Sequence, residues 1–341
     1  MRFAFTDDQL AFRDAVRDLL TRECPPEVVR AAWDGKPTDL WPKLAEMGVV
    51  GMTAPEDAGG LGMNALDLVL VLEEAGRAGL PEPLLEHTAV AVPLLADAGG
   101  PVAERWLPRL ASGETIATVG IGSAPLIVDA DRAGLLVDDH DGCFHAVETS
   151  GCDLTVRPSV DGGRRVFAVG WTATPETKIE GADAALAFDR AALATAAELV
   201  GLADRMVTMA AEYAKERHQF GKPIGSFQAV QHHLADALLA LEFARPVVYR
   251  AAHTLAHGGA DRAVHVSMAK AYASDAALLA ARTALQVHGA IGYSWEHDLH
   301  LFMKRAWALA AAWGDAGWHR RRVGDAVLGR APNSSDQTDP H

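Results

Sequence analysis

The sequence predicts an α+β multidomain protein: an N-terminal helical domain over residues 1–115, a small middle β domain over 116–187, a C-terminal four-helix bundle over 188–330, and a disordered tail over 331–341. Three observations predict it. Apolar residues recur at helical spacing in both flanking stretches, short β-like runs bounded by turn residues fill the middle, and the last third is Ala-rich with long periodic segments. With 49% apolar and 22% charged residues in 341, the chain has ample material for a core.

Taken in order, Thr6-Asp7-Asp8-Gln9 has the spacing of a capping box, so a helix follows, carried by Leu10, Val16, Leu19 and Leu20 and stopped by Pro25-Pro26. Pro55 to Gly62 reads as a glycine-rich loop. The run Leu66 to Glu74 is apolar nearly all round, which predicts a helix buried against several neighbours. Gly134–Asp138, Cys143–Val147 and Arg165–Val169 are the clearest strands, with Asp141-Gly142 and Asp161-Gly162-Gly163 as hairpin-type turns. About 70 residues suffice for a compact sandwich or barrel. Segments of about 190–218, 226–256, 260–288 and 295–312 then supply the four bundle helices.

The 31 basic against 45 acidic residues leave a net charge of −14, and the basic residues are scattered apart from Arg320, Arg321 and Arg322, so no nucleic-acid partner is expected. Apolar runs such as Leu66–Leu72 fall short of the roughly 20 residues that cross a bilayer, and no basic-then-apolar leader opens the chain. Cys24, Cys143 and Cys152 give neither a disulfide framework nor a zinc cage. A cytoplasmic protein, with no membrane partner, is the expectation.

Two strings stand out. In Glu216-Arg217-His218-Gln219-Phe220-Gly221-Lys222-Pro223-Ile224-Gly225-Ser226-Phe227-Gln228, glycines and proline end one helix and begin another, with Ser226 as N-cap. This is either an ordinary corner or, given an Arg, two Gln and a Phe grouped there, a place to hold a phosphate and a planar ligand. In Gln286-Val287-His288-Gly289-Ala290-Ile291-Gly292-Tyr293-Ser294, two glycines break a long helix and leave the backbone open to a ligand, with Ser294 able to cap the next helix. No Gly-x-Gly-x-x-Gly follows a strand, and no Gly-x-Ser-x-Gly elbow is present, so neither a Rossmann site nor serine hydrolysis is supported. His297 and His300 stand three apart, but a metal would need a third ligand from elsewhere.

Together with the Pro55–Gly62 loop, Leu72-Glu73-Glu74-Ala75-Gly76-Arg77 and Trp106–Glu114, these strings resemble the acyl-CoA dehydrogenase family of flavoproteins over nearly the whole chain. The resemblance implies FAD bound across a subunit interface in a homo- or hetero-oligomer, dimer or tetramer. An acyl-CoA substrate, an electron-transfer flavoprotein or similar acceptor, and a place in lipid metabolism are implied with it. It implies that Arg217 meets the flavin pyrophosphate, Phe220 packs on the cofactor, Gln228 reaches the adenosine half, and Gln286, Gly289 and Gly292 meet the neighbour's FAD. A guanidinium fork suits a diphosphate.

The chain departs from that family twice. Where the family holds the flavin ring with Thr-Glu-Pro and Gly-Ser-Asp, this sequence reads Val119-Gly120-Ile121-Gly122-Ser123-Ala124-Pro125, leaving Thr118 or Ser123 as substitute hydroxyls. Dehydrogenation also needs a carboxylate to take the α-proton. The family's two positions for it match Trp313 and Ala191, neither of which accepts a proton. Glu198, seven residues beyond Ala191 and so on nearly the same helix face, is the nearest acid; in its apolar stretch it is either a desolvated base of raised pKa or the partner of an Arg from a neighbouring helix. Asp189 and Asp315 are weaker candidates, because a carboxylate near a helix end caps or faces water. Three functions remain: acyl-CoA α,β-dehydrogenation, a non-catalytic subunit completing the FAD site of a paralogue, and a flavin oxygenase on the same fold.

Overall fold

The computed structural model describes residues 4–122 and 125–330. Ser123, Ala124 and the expected tail from residue 331 lie outside the described residues. The N-terminal part packs α1 (Asp7–Glu23), α2 (Pro26–Trp33), α3 (Leu40–Glu46), α4 (Ala65–Ala78), α5 (Val92–Ala98) and α6 (Gly100–Ala111). The expected capping box is present: Gln9 N–H donates to Thr6 Oγ1 and Thr6 N–H to Gln9 Oε1. Pro26 takes the first position of α2, where its missing N–H costs nothing. Helix α4 buries an unbroken run from Leu68 to Gly76, as its all-round apolarity implied. A seven-residue π-helical stretch, Leu85–Ala91, leads into α5, which sequence period does not reveal.

The β region is two small sheets. One has the order β1-β3-β4-β7, made of β1 (Ala117–Gly120), β3 (Leu135–His140), β4 (Cys143–Glu148) and β7 (Lys178–Ile179), with β1 and β3 parallel. The other has the order β2-β6-β5, made of β2 (Ile127–Val128), β6 (Val166–Gly170) and β5 (Asp153–Arg157). Asp141 and Gly142 form the expected two-residue hairpin, both at positive φ (52° and 79°), which matches the twist of the paired strands. Asp161-Gly162-Gly163 is not a tight turn. It sits in a longer connection from β5 to β6, and Asp161 is fully buried. Buried His87 joins the helical and β parts, accepting from Ala117 N–H on Nδ1 and donating from Nε2 to Leu110 O. Burial holds its pKa down to about 3, so it stays neutral.

The bundle consists of α7 (Ala184–Glu216), α8 (Gln228–Ala256), α9 (Arg262–His288) and α10 (Leu299–Ala311), with a further helix, α11 (Ala316–Val327), that the periodicity did not announce. Helix α7 starts earlier than expected because Asp183 caps it, accepting from Leu186 N–H. Helices α7 and α9 run parallel: Asp189 meets Arg262 at one end and the Tyr213 ring stacks on His288 at the other. Two expected caps are corrected. Phe227, not Ser226, precedes α8, and Ser226 Oγ donates to Pro223 O instead. Ser294 stands five residues before α10, where it accepts from Glu296 N–H. Glycines let α4 and α7 touch backbone to backbone, since a Cβ at Gly76 would collide with Glu198 O and one at Gly201 with Glu73 O.

Candidate functional site

The two helix corners share one end of the bundle. At the first, His218–Gln219 pairs with Lys222–Pro223, and Phe220 and Gly221 turn the chain at φ 54° and 81°. A non-glycine residue in that region is uncommon and strained by about 1 kcal/mol or more. Phe220 is 91% exposed, with its ring edge-on to Phe227 at 6.1 Å, so local packing gives that strain little compensation. Arg217 is exposed, and its guanidinium makes no ion pair among the described residues. Gln228 opens α8, also exposed.

At the second corner, Gln286 and Gly289 are exposed, and Gly289 ends α9 at φ 62°. Gly292 is buried, and a Cβ there would stand 3.0 Å from Leu285 Cδ1, so its small size also serves the turn's own packing. The corners are joined by the Tyr213–His288 stack, with ring centroids 4.5 Å apart. His288 donates from Nδ1 to Ala284 O, and burial lowers its pKa. Exposed Tyr213-side cation, bare aromatic ring and two amides thus form an open shelf. Its chemistry fits a diphosphate and a flat ring system.

Glu198 lies elsewhere, 19 residues before Arg217 on the same helix and hence roughly 28 Å along its axis. It is 7% exposed, at the junction of the three parts of the chain. Around it Arg305 pairs with Asp161 and donates to Leu80 O (2.8 Å), Arg164 pairs with Glu86 (2.5 Å), and Arg132 pairs with Glu82. Burial pushes Glu198 up to about 7; Arg305 and Arg164 oppose that rise, and Glu86 and Asp161 add to it. Among the described residues Glu198 itself stands in no ion pair within 4 Å. The cavity it shares with Glu86, Asp129, Arg164 and Arg305 measures ≈10 Å³, about one water sphere and far less than an acyl chain occupies. Sequence reasoning found Glu198 and missed this ionic surround. A signal was Arg305 in the largely apolar run Leu299–Ala310.

The two family base positions lie on different elements, one in α7 and one in the loop after α10. Ala191 is fully buried, and Trp313, at φ 55°, lies beside Phe188 (6.3 Å between rings). The Trp313 carbonyl accepts from His319 Nε2, and fully buried Lys270 donates to Ala310 O (3.0 Å) and Gly314 O (2.9 Å). That loop is therefore held rigidly around an indole, not a carboxylate. Asp315 caps α11, accepting from Trp318 N–H, as its place near a helix end implied. Asp189 does not face water: it is fully buried between Arg262 (2.8 Å) and Arg322 (2.7 Å).

Thr118 is also corrected as a ring contact, because it is buried and its hydroxyl donates to Val128 O (2.6 Å). Its substitute Ser123 lies outside the described residues. His297 accepts from Leu299 N–H, and His300 lies against Arg30 and Trp295. A roomier cavity of ≈240 Å³, lined mainly by Leu68, Leu72, Leu193 and Leu255, has the Arg190–Asp97 ion pair (2.7 Å) on its wall. Among the described residues no helix is long and apolar enough to cross a membrane.

Two family models match the chain: acyl-CoA dehydrogenase, N-terminal domain, over residues 6–114, and acyl-CoA dehydrogenase, C-terminal domain, over residues 181–328. Acyl-CoA dehydrogenase IpdE2 of Mycolicibacterium smegmatis is 34% identical over 322 residues, covering 93% of this chain and 98% of that protein. Among solved structures, the ChsE4-ChsE5 complex from Mycobacterium tuberculosis matches with TM-score 0.87 and 26% identity, over 98% of this chain and 100% of that one. The glutaryl-coenzyme A dehydrogenase glutaryl-CoA complex matches in fold, with TM-score 0.89 and 22% identity, over 97% and 98%.

Proposed function

The chain belongs to the acyl-CoA dehydrogenase family, oxidoreductases acting on the CH–CH group of acyl-CoA, and from that premise we propose that it serves FAD-dependent α,β-dehydrogenation of an acyl-CoA thioester as one protomer of an oligomer. The observation that carries the proposal is the open shelf at the bundle end. Arg217 is an exposed guanidinium without an ion pair among the described residues, and Phe220 an exposed side chain in a strained conformation. Arg217 would hold the cofactor's pyrophosphate, Phe220 would pack on it, and Gln228 and Gln286 would supply amide contacts, with Gly289 leaving room beside them. FAD, when bound, supplies the hydride acceptor for the β-carbon. Electron-transfer flavoprotein or a similar acceptor and a cytoplasmic setting complete the reading.

The closed junction favours a second reading for the proton. Glu198 has the raised proton affinity of a base working near neutrality, but about 10 Å³ admits no acyl chain beside it. Trp313 and Ala191 accept no proton. The chain then acts as the complementing subunit of a heteromer, its shelf closing over FAD seated mainly on a paralogous protomer that brings the base. That a structural neighbour was solved as a complex of two differently named chains supports this form. A flavin oxygenase, which needs no such base, finds no separate support.

The test is flavin content and acyl-CoA-dependent bleaching of the full chain expressed alone and together with an acyl-CoA dehydrogenase paralogue. The heteromeric form predicts little flavin alone and full flavin on co-assembly. Arg217→Ala, removing a charged hydrogen-bond partner worth about 1.5–3 kcal/mol, should weaken flavin retention roughly ten- to a hundredfold in the assembly. Unchanged retention in that variant removes the shelf from the cofactor site.

A further inference from the structure

A second charged cavity has no part in the shelf or in the Glu198 junction. It measures ≈150 Å³ and lies between α1, α4 and α7, with Arg17, Thr21, Glu74, Arg77, Arg205 and Phe302 on its walls. Three arginines from three helices meet there against one lining carboxylate. Glu74, 2% exposed, already serves two of them: Arg17 at 3.0 and 2.6 Å and Arg77 at 3.3 Å. Asp204, behind the wall, takes the other end of Arg77 and stands 3.7 Å from Arg245, which pairs with Glu73.

Arg205 is left over. Among the described residues no carboxylate comes within 4 Å of it, its Nε is buried without an acceptor, and its guanidinium rests on the Phe302 ring at 5.4 Å. Arg77 Nε likewise lacks an aligned acceptor. A buried donor on a charged group left without an acceptor is costly. In a chain with 45 acidic residues, local shortage of carboxylates does not explain the arrangement.

We propose that this cavity binds a small tetrahedral oxyanion, a phosphate group, held by the guanidinium forks of Arg17, Arg77 and Arg205. Guanidinium presents paired N–H donors that match two oxygens of a phosphate; Glu74 and Asp204 offset Arg17 and Arg77, with Asp14 a further 3.6 Å from Arg17 on the exposed side, so the charge of Arg205 is the one an anion would meet. Thr21, exposed on the rim, adds a hydroxyl donor.

The experiment is thermal unfolding of the full chain titrated with inorganic phosphate, against chloride and acetate at matched ionic strength. The expected result is a saturable rise in Tm with phosphate alone, since a ligand that binds only the folded state stabilises it by mass action. Arg205→Met keeps the apolar contact to Phe302 and should weaken the apparent phosphate affinity about tenfold or more. Thr21→Glu, on the exposed rim, supplies a built-in counter-charge and should abolish the phosphate effect without depending on a core change. Equal shifts with acetate or chloride, or an undiminished phosphate shift in either variant, overturn the proposal. Because no flavin is read, failure here leaves the function proposed for the shelf standing, and the converse also holds.

Discussion

Replacing Glu198 by Gln tests the charged junction through a sign that runs against intuition. The ordinary glutamate pKa of 4.5 rises to about 7 in the fold, so between those values the folded chain holds a proton the unfolded chain has released. The contribution of Glu198 to stability is therefore fully present below about pH 4.5, declines as pH rises, and reaches its lowest level above about pH 7. At about 1.4 kcal/mol per pH unit, the gap is worth about 3 kcal/mol. Gln cannot ionise and escapes that loss. Glu198→Gln should thus gain about 2.5 kcal/mol on the parent between about pH 5 and pH 8, part of the full gap having passed below pH 5, in urea unfolding followed by circular dichroism. Asp129, also raised to about 7 by burial and lining the same cavity, is present in both proteins, so the comparison is read as the difference between them. A parent-to-variant gap that is the same at both pH values would refute the reasoning. The assembled enzyme gives an independent answer from the same variant: bleaching by acyl-CoA at the parent rate excludes Glu198 as the base.

Other perturbations follow from the packing. Arg305→Met strands fully buried Asp161 and the Leu80 carbonyl, and should cost about 3–5 kcal/mol in urea unfolding, whereas Arg305→Met with Asp161→Asn should recover most of it. Gly201→Ala drives a Cβ into Glu73 O and to 2.6 Å from Arg77 N, and should cost about 1–3 kcal/mol, read as a lower Tm. Gly324→Ala, in α11 with nothing within 4 Å of the added Cβ, should instead be neutral or stabilise by up to about 1 kcal/mol in the same assay.

What was legible in the sequence was local. The capping box of α1, the all-buried α4, the Asp141-Gly142 hairpin and both bundle corners are written within a few consecutive residues, where spacing and turn chemistry decide the conformation. What escaped was assembled across the chain. Asp161 and Arg305 are 144 positions apart, and Glu86 and Arg164 are 78 apart, so no window of periodicity brings them together. Glu198 could be singled out as an acid in an apolar helix, but the size of the space in front of it depends on a β-domain connection that looked like a surface turn. At Gly292 the sequence could not show the packing role: neighbouring Leu285 and His288 fill the room a side chain would need. Lys270, flanked by alanines, carried a readable sign of burial that its fully buried environment explains only afterwards.

The backbone-to-backbone seat of α4 on α7 has a consequence for how the chain matures. During synthesis the first 115 residues emerge well before α7, yet Gly76 and the flank of α4 around it find their permanent cover only on a helix that starts at Ala184. Until then a ribbon of Leu and Val side chains stays wet and adhesive, so the nascent N-terminal segment must be shielded or remain unsettled. A fragment cut at residue 115 would carry that sticky flank for good, and excising what looks like a free-standing module should yield aggregates where the intact polypeptide yields a soluble product.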